Sequence, residues 1–251
     1  MSKEILTQKI AKAARVWDDV HTVAKYGRRI LLWGPPGTGK SYAGIKTAKG
    51  DVCRVYLTLD TPGAEIRGHY LPSEAGGFAW HDGPATKAWR NGERLVIDEI
   101  DAASGETLTL LLAYLDDIET AALTLPTNET IKPAGDFSCV ATTNQKPSTL
   151  PEALLDRFDA VIEIKTPHPD AFLSNAWADQ DLAEAARRNV YLNVQPPKSS
   201  AGRPVGLRAF RAIDGLIRQG LALEDASRLT LGAETGQWLC SAIKLLKAEN
   251  A

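Results

Sequence analysis

The most restrictive feature of the sequence is a glycine-rich octapeptide that ends in lysine and serine and fits the pattern G-x-x-x-x-G-K-[ST]. It runs Gly34-Pro35-Pro36-Gly37-Thr38-Gly39-Lys40-Ser41. Glycines let consecutive backbone N–H groups face a phosphate, because side chains would crowd that approach. The Lys40 ammonium can reach the β- and γ-phosphates, and the Ser41 hydroxyl can ligate Mg²⁺. The octapeptide therefore predicts a binding loop for Mg²⁺–ATP.

The residues around this loop predict an α/β fold. An apolar run over 29–33 precedes the loop and predicts a buried strand, and a helix is expected to follow from Lys40 to Lys49. Further strands are predicted at 52–59, 94–97, 137–142 and 160–164, with helical patterns between several of them. Strands that alternate with helices indicate a parallel sheet covered on both faces. We therefore expect a P-loop NTPase with a five-stranded parallel sheet in an αβα sandwich.

The character of the chain changes after Thr166-Pro167-His168-Pro169. Beyond that point the periodicity is helical, with helices expected at 171–189, 203–219, 223–230 and 235–248. The sequence thus predicts an α/β core over residues 1–166, which includes a first helix at 3–26, and a small all-helical lid over residues 167–251.

Two carboxylates, Asp98 and Glu99, end the third predicted strand. Ligands of open α/β sheets lie at the carboxyl ends of the strands. Asp98 can hold the Mg²⁺ shell, through water, and Glu99 can polarise the water that attacks the γ-phosphate. Asp101 follows closely and is expected to cap the next helix.

Another predicted strand ends in the polar residue Asn144. Two interpretations are open for this side chain. It can hydrogen-bond the γ-phosphate or the attacking water, or it can be a strand-to-loop asparagine satisfied by its own backbone.

Together these segments resemble the AAA+ superfamily, and within it the MoxR-like branch related to midasin and dynein. Residues 34–41 look like Walker A, 95–99 like Walker B, and 141–144 like sensor 1, with Asn144 as the sensor. Residues 154–158 look like the arginine-finger segment, with Arg157 as the finger. The alternative for Arg157 is a structural salt bridge with a neighbouring aspartate, Asp156 or Asp159.

The resemblance also implies a sensor 2 arginine at the start of a lid helix, where several arginines compete. Arg208 fits best, with Arg203 and Arg211 as rivals, and all three could instead be solvated residues of a helix surface. The loops around 68–80, with a small hairpin near 74–77, and around 121–131 correspond to insertions that contact substrate or line the pore in this branch. The aromatics Tyr70, Phe78 and Trp80 could grip a partner or pack the hairpin onto the core.

By resemblance, the expected activity is hydrolysis of Mg²⁺–ATP in a ring, a hexamer, that remodels a protein partner, for example one with a von Willebrand A-type domain. A DNA-associated motor or loader is the alternative, and a scaffold that binds ATP without turnover is disfavoured by Glu99 and Arg157. The formal net charge of −2 is unlike that of a protein that holds nucleic acid by charge alone.

The cysteines and the apolar segments bear on the cellular compartment. The three cysteines, Cys53, Cys139 and Cys240, are far apart and predict buried thiols in place of disulfides or a zinc site. We expect a cytosolic protein without a membrane span, since the chain has no run of ~20 apolar residues.

Overall fold

The computed structural model describes residues 2–26, 28–74, 76–173, 177–193 and 205–250. The chain forms two compact units. One comprises residues 18–164, and the other combines residues up to 17 with those from 165 onward. This division differs from the predicted core over 1–166 in its placement of the N-terminal residues.

The unit over residues 18–164 alternates strands with helices. Its elements, starting from a helix shared with the other unit, are α1 (Ser2–Tyr26), β1 (Arg29–Trp33), α2 (Lys40–Lys46), β2 (Val52–Tyr56), α3 (Gly63–Arg67), β3 (Gly68–Pro72), β4 (Phe78–Asp82), α4 (Pro84–Asn91), β5 (Arg94–Asp98), α5 (Gly105–Tyr114), β6 (Leu123–Thr124), β7 (Thr130–Ile131), β8 (Ser138–Thr143), α6 (Glu152–Leu155) and β9 (Ala160–Glu163).

Within the described residues, five of these strands form one parallel sheet in the order β2-β5-β8-β1-β9. The central strands are buried and carry runs of apolar residues, as is typical of buried parallel strands. Leu31, Leu95, Ile97 and Ala141 have no exposed surface. The sheet and its helices confirm the predicted α/β fold, and the carboxyl ends of β1, β5 and β8 carry the loop and the polar side chains singled out in the sequence.

Cys53, Cys139 and Cys240 are buried free thiols, as predicted. Burial raises the pKa of Cys139 to about 12. Burial, helped by a hydrogen bond to the Glu93 carboxylate, raises the pKa of Cys53 to about 12 as well. Both groups therefore remain neutral thiols, and they belong to the packing of the sheet.

Two short antiparallel hairpins extend this unit. Strands β3 and β4 pair from Gly68 with Asp82 to Pro72 with Phe78, on either side of the predicted turn near 74–77. Strands β6 and β7 pair within the second predicted loop. Gly83, just after β4, leaves no room for a side chain, because a Cβ there would lie 2.4 Å from the Ile66 carbonyl oxygen.

The other unit is helical. It contains the first part of α1 and the helices α7 (Gln180–Leu192), α8 (Leu207–Arg218), α9 (Leu223–Leu231) and α10 (Ala233–Asn250). Leu6 and Ala13 of α1 belong to the same apolar cluster as Trp177 and Phe210, which explains why the start of the chain joins this unit. None of the described helices combines the length and apolar character needed to cross a bilayer.

One predicted helix has different bounds. The pattern over 171–189 predicts one continuous helix, whereas the structure has a short 3₁₀ turn at Pro169–Phe172 and starts α7 at Gln180. The reason is the cap: the Asp179 carboxylate accepts hydrogen bonds from the backbone N–H groups of Asp181 and Leu182.

Candidate nucleotide-binding site

The predicted phosphate loop joins the end of β1 to the start of α2. Its glycines at 34, 37 and 39 all have positive φ angles, of 135°, 78° and 98°. A Cβ on Gly34 would lie 2.3 Å from the carbonyl oxygen of Ile164, so this position accepts no side chain. The loop therefore needs its glycines both for backbone conformation and for close packing.

Lys40 and Ser41 are the first two residues of α2. The Lys40 side chain is buried, and its ammonium donates to the carbonyl oxygens of Gly34 and Pro35, at 2.8 and 2.9 Å. Ser41 is half-buried beside it. The Thr38 hydroxyl donates to the Pro35 carbonyl at 3.1 Å and fixes the loop from within. The ammonium thus lies inside the curve of the loop.

Asn144 connects the loop to the acidic pair. Its amide oxygen accepts a hydrogen bond from Lys40 Nζ at 2.9 Å. Its amide nitrogen lies 2.6 and 2.9 Å from the two carboxylate oxygens of Glu99. The Asn144 side chain is therefore hydrogen-bonded to both Lys40 and Glu99.

Glu99 has a left-handed backbone conformation, with φ 56° and ψ 50°. Few residues other than glycine adopt this conformation, and those that do concentrate at functional sites. The turn directs the Glu99 carboxylate toward Asn144 immediately after the buried strand β5.

Asp98, the last residue of β5, is 2% exposed. Its carboxylate accepts a hydrogen bond from the Thr142 hydroxyl at 2.9 Å. It also forms an ion pair with Arg54, whose Nε lies 2.7 Å away. The Thr142 hydroxyl oxygen also accepts a hydrogen bond from the Glu99 backbone N–H at 3.4 Å. Sequence reasoning assigned no role to Thr142 or Arg54, although each is a polar residue inside a β-rich segment.

The predicted cap at Asp101 is wrong. Ser104 caps α5, because its hydroxyl accepts from the backbone nitrogen of Thr107 at 3.2 Å. Asp101 lies in the 3₁₀ turn Ile100–Ala102 between the acidic pair and that helix. The three-residue turn displaces the helix start, so the carboxylate is too early in the chain to cap it.

Arg157 follows α6 and keeps 36% of its side chain exposed. Its Nε lies 3.5 Å from the nearest carboxylate oxygen of Asp116. Asp159, one of the two partners considered from sequence, is instead bound by Arg29 Nη2 at 2.8 Å and by the backbone nitrogens of Arg28 and Arg29. The Arg157 guanidinium is therefore only loosely held by its own unit.

The candidate sensor 2 arginines have different surroundings. Arg208 is exposed in the first turn of α8. Arg211, one turn later, donates to the Ala171 carbonyl at 2.6 Å, and its guanidinium lies 4.2 Å from the centre of the Trp177 ring. Arg203 lies outside the described residues. Arg211 thus packs within the helical unit, whereas Arg208 is exposed.

The two hairpins are joined by one arginine of α4. Arg90 forms an ion pair with Asp82 of β4 at 2.6 Å and a two-pronged pair with Glu129, next to β7, at 2.5 and 2.6 Å. Hydrogen bonding to Glu129, against burial, raises the pKa of Arg90, and the same contact lowers the pKa of Glu129. Both groups are charged at neutral pH, so the link is ionic.

Some aromatic side chains of the first hairpin are exposed to solvent, and one is packed against its neighbours. Phe78 is 73% exposed and Tyr70 46% exposed. Trp80 is half-buried, packs edge-on against Tyr70, and donates from its ring nitrogen to Asp82 at 2.6 Å. Trp80 therefore packs the hairpin onto the core, whereas Phe78 faces solvent.

Comparison with known proteins identifies relatives of the chain. Residues 29–158 match the family described as AAA domain, dynein-related subfamily. The chain is 34% identical over 174 residues to an uncharacterized protein of Staphylococcus haemolyticus, a match that covers 64% of each chain. It is 29% identical over 167 residues to midasin of Giardia intestinalis, which covers 62% of this chain and 3% of midasin. The crystal structure of NtrX from Brucella abortus has a TM-score of 0.49 and 16% identity, over 93% of this chain and 50% of that chain.

The family match takes in the phosphate loop, the acidic pair, Asn144 and Arg157, and it spans more than half of the 251 residues. The chain spans less than two thirds of the length of the staphylococcal relative. These findings confirm the resemblance drawn from the sequence motifs. The chain therefore belongs to the family of AAA-type ATPases, in its dynein-related subfamily.

Proposed function

We propose that this chain is a ring-forming AAA+ ATPase that couples hydrolysis of Mg²⁺–ATP to the remodelling of a protein partner. The observation that carries the proposal is the hydrogen-bonded chain from Lys40 through Asn144 to Glu99. It brings together an ammonium suited to the β- and γ-phosphates, an amide, and a carboxylate suited to activating water. Hydrolysis of a phosphoanhydride is catalysed by neutralising charge on the phosphates and by positioning the attacking water, and these groups are suited to both tasks.

The roles of the loop residues follow from their positions. The glycine-rich turn presents its backbone N–H groups to the phosphates, and the buried Lys40 ammonium neutralises their charge. Asn144 orients the attacking water or the γ-phosphate. The Glu99 carboxylate is hydrogen-bonded to Asn144, so a water held by Asn144 lies near it. Glu99 then accepts a proton from that water as the water oxygen attacks.

The residues present fit a magnesium ion. Mg²⁺ prefers oxygen ligands and keeps several of its waters. Ser41 offers a hydroxyl at the start of α2, and Asp98 offers a buried carboxylate at the end of β5, oriented by Thr142. The ion, when bound, neutralises charge that develops on the phosphates.

Arg157 and Arg208 complete the proposed machinery. Both side chains are exposed or partly exposed, and Arg157 is weakly held by Asp116. A guanidinium that reaches the γ-phosphate of a neighbouring subunit stabilises the charge of the transition state. We assign this role to Arg157 in a ring, a hexamer by resemblance, and the sensor 2 role to Arg208.

A protein partner is favoured over DNA by the surface of the hairpins. The first hairpin exposes Phe78, Tyr70 and Leu71, and acidic residues such as Glu74 and Glu129 lie on or beside the two hairpins. Exposed apolar and aromatic groups suit a protein surface, whereas a DNA-binding surface presents arginines and lysines to phosphates. A partner with a von Willebrand A-type domain is the specific candidate.

The test compares Glu99→Gln with Glu106→Gln, an exposed glutamate in the first turn of α5. Glutamine keeps the size of the side chain but removes the base. We expect Glu99→Gln to bind ATP and to hydrolyse it on the order of 10²-fold more slowly, and Glu106→Gln to behave as the wild type. Equal hydrolysis by Glu99→Gln and wild type would show that this site does not activate water through Glu99. An ATP-loaded Glu99→Gln protein then serves to capture the partner, with Lys40→Ala as the nucleotide-free control.

A further inference from the structure

The ion pair between Arg54 and Asp98 plays no part in the function proposed above. Arg54 lies on β2, the edge strand of the sheet, and reaches across to the end of the neighbouring strand β5. Its Nε is 2.7 Å from Asp98 Oδ2. The two ends of the pair differ in environment: the Asp98 side chain is 3% exposed and that of Arg54 is 54% exposed.

The buried carboxylate needs compensation for its negative charge. Its other hydrogen-bond donor is the Thr142 hydroxyl, which is neutral. Among the described residues, Arg54 is the cation that forms an ion pair with Asp98. Removing one partner of a buried pair leaves the remaining charge uncompensated, which is strongly unfavourable. Asp98 therefore requires a cation, and in this arrangement the cation is a guanidinium supplied by the chain.

We infer that Arg54 is an internal counter-ion that competes with Mg²⁺ for Asp98, and that it sets how strongly Mg²⁺ and nucleotide binding are coupled. The inference rests on the proposed Mg²⁺ role of Asp98. A guanidinium and a divalent ion that share one carboxylate repel each other, so binding of Mg²⁺ displaces Arg54. The displacement is easy because more than half of the Arg54 side chain is already in water.

Loss of the Arg54 charge should strengthen the coupling. In an Arg54→Gln protein, Asp98 keeps its Thr142 hydrogen bond but has no counter-ion until Mg²⁺ arrives. Mg²⁺ then binds without displacing a competitor. The effect is measured by titration calorimetry as the ratio of the ADP dissociation constant in EDTA to that at one fixed Mg²⁺ concentration, chosen low enough to leave the nucleotide-free protein largely without metal. We expect this ratio to rise about fivefold or more in Arg54→Gln, at the lower end of typical couplings between sites.

Two further variants make the measurement decisive. Arg228→Gln removes an arginine of similar exposure, 57%, that pairs with Asp225 at 3.1 Å in the helical unit, and it should keep the wild-type ratio. Arg54→Lys keeps a positive charge near Asp98 and should lie near the wild type. If Arg54→Gln unfolds, Arg54→Met replaces it as the neutral variant, because methionine preserves the apolar stem of the side chain. The dissociation-constant ratio of Arg54→Met is then compared with that of the charged variant Arg54→Lys.

The outcomes separate this inference from the proposed function. An unchanged or smaller ratio in the neutral variants, with normal Mg²⁺-dependent ADP binding by the wild type, would overturn the role of Arg54 and leave the ATPase proposal intact. Absence of ADP binding by the wild type in both buffers would overturn both proposals. The readout is binding, so it does not depend on turnover.

Discussion

The Lys40 ammonium is buried, and the hydrogen bonds it donates in the site go to two backbone carbonyls and the amide oxygen of Asn144. An ammonium is a compact point charge, so it gains most from an anion brought within contact distance. The geometry thus places a positive charge beside the glycine-rich loop, where the phosphates of a nucleotide are expected.

We therefore predict that Lys40→Ala abolishes detectable ATP binding while the fold is retained. Lys46→Ala, at an exposed position in the last turn of the same helix, is the matched control and should bind ATP as the wild type does. Binding is followed with a fluorescent ATP analogue, and folding by circular dichroism. Tight ATP binding by a folded Lys40→Ala protein would contradict the assignment of residues 34–41.

For single residues, the sequence predicted features that depend on neighbouring positions in the chain and missed contacts between side chains that are far apart in it. The octapeptide is contiguous, and its glycines have a backbone requirement that can be read from the pattern. Asp98 and Glu99 could be placed because they end an apolar run. The partners Thr142 and Arg54 come from two other strands of the sheet, and Asp116 reaches Arg157 from beyond α5. Such contacts depend on strand order and side-chain reach, which no local pattern encodes.

Arg90 of α4 connects the two hairpins through ion pairs to each of them. Trp80 and Arg90 donate to opposite oxygens of Asp82, and Arg90 continues to Glu129. Sequence patterns located both hairpin regions but could not show that a helix residue connects them. Similarly, helix α5 ends at Tyr114, whose buried ring packs against Trp89 of α4.

We predict that Arg90→Gln loosens both hairpins together. Amide hydrogen exchange should become faster over residues 68–82 and 123–131, and remain unchanged in β1, β5 and β8. Lys87→Gln, an exposed change on the same helix, should leave both hairpins protected. Faster exchange in one hairpin alone would show that Arg90 does not couple them.

The same link has a predicted pH dependence. Glu129 has its pKa lowered from 4.5, chiefly by the hydrogen bond from Arg90. A carboxylate whose folded pKa is depressed contributes above its unfolded pKa, and the contribution is lost as the pH falls through the folded value. The protection conferred by Arg90 should therefore be complete near neutral pH and decline below about pH 4.5. Exchange differences between wild type and Arg90→Gln that stay constant down to pH 3 would contradict this.

For the whole molecule, the proposed function depends on contacts between copies of the chain. Arg157 is the residue on which this is tested, because its side chain is partly exposed and its ion-pair partner Asp116 is 3.5 Å away and itself 43% exposed. Ion pairs at such a surface are weak, on the order of 1 kcal/mol or less. A phosphate of a neighbouring subunit can therefore replace Asp116 as the partner of Arg157.

If Arg157 acts on the nucleotide of the next subunit, two inactive proteins should restore activity when they are mixed. In mixed rings of Arg157→Ala and Glu99→Gln subunits, some interfaces pair an intact Glu99 with an intact Arg157. Those interfaces should hydrolyse ATP, and the wild-type rate per subunit should fall on dilution as rings dissociate. An arginine in this position contributes roughly 10³ to 10⁵ in rate, so even a minority of repaired interfaces is measurable.

If Arg157 instead serves only its own fold through Asp116, the mixture will show the sum of its parts, and dilution will leave the specific activity constant. Asp116→Asn separates these cases further, because it should leave mixing intact in a ring but impair a purely structural pair. Sedimentation with a slowly hydrolysed ATP analogue gives the number of subunits, for which we expect six.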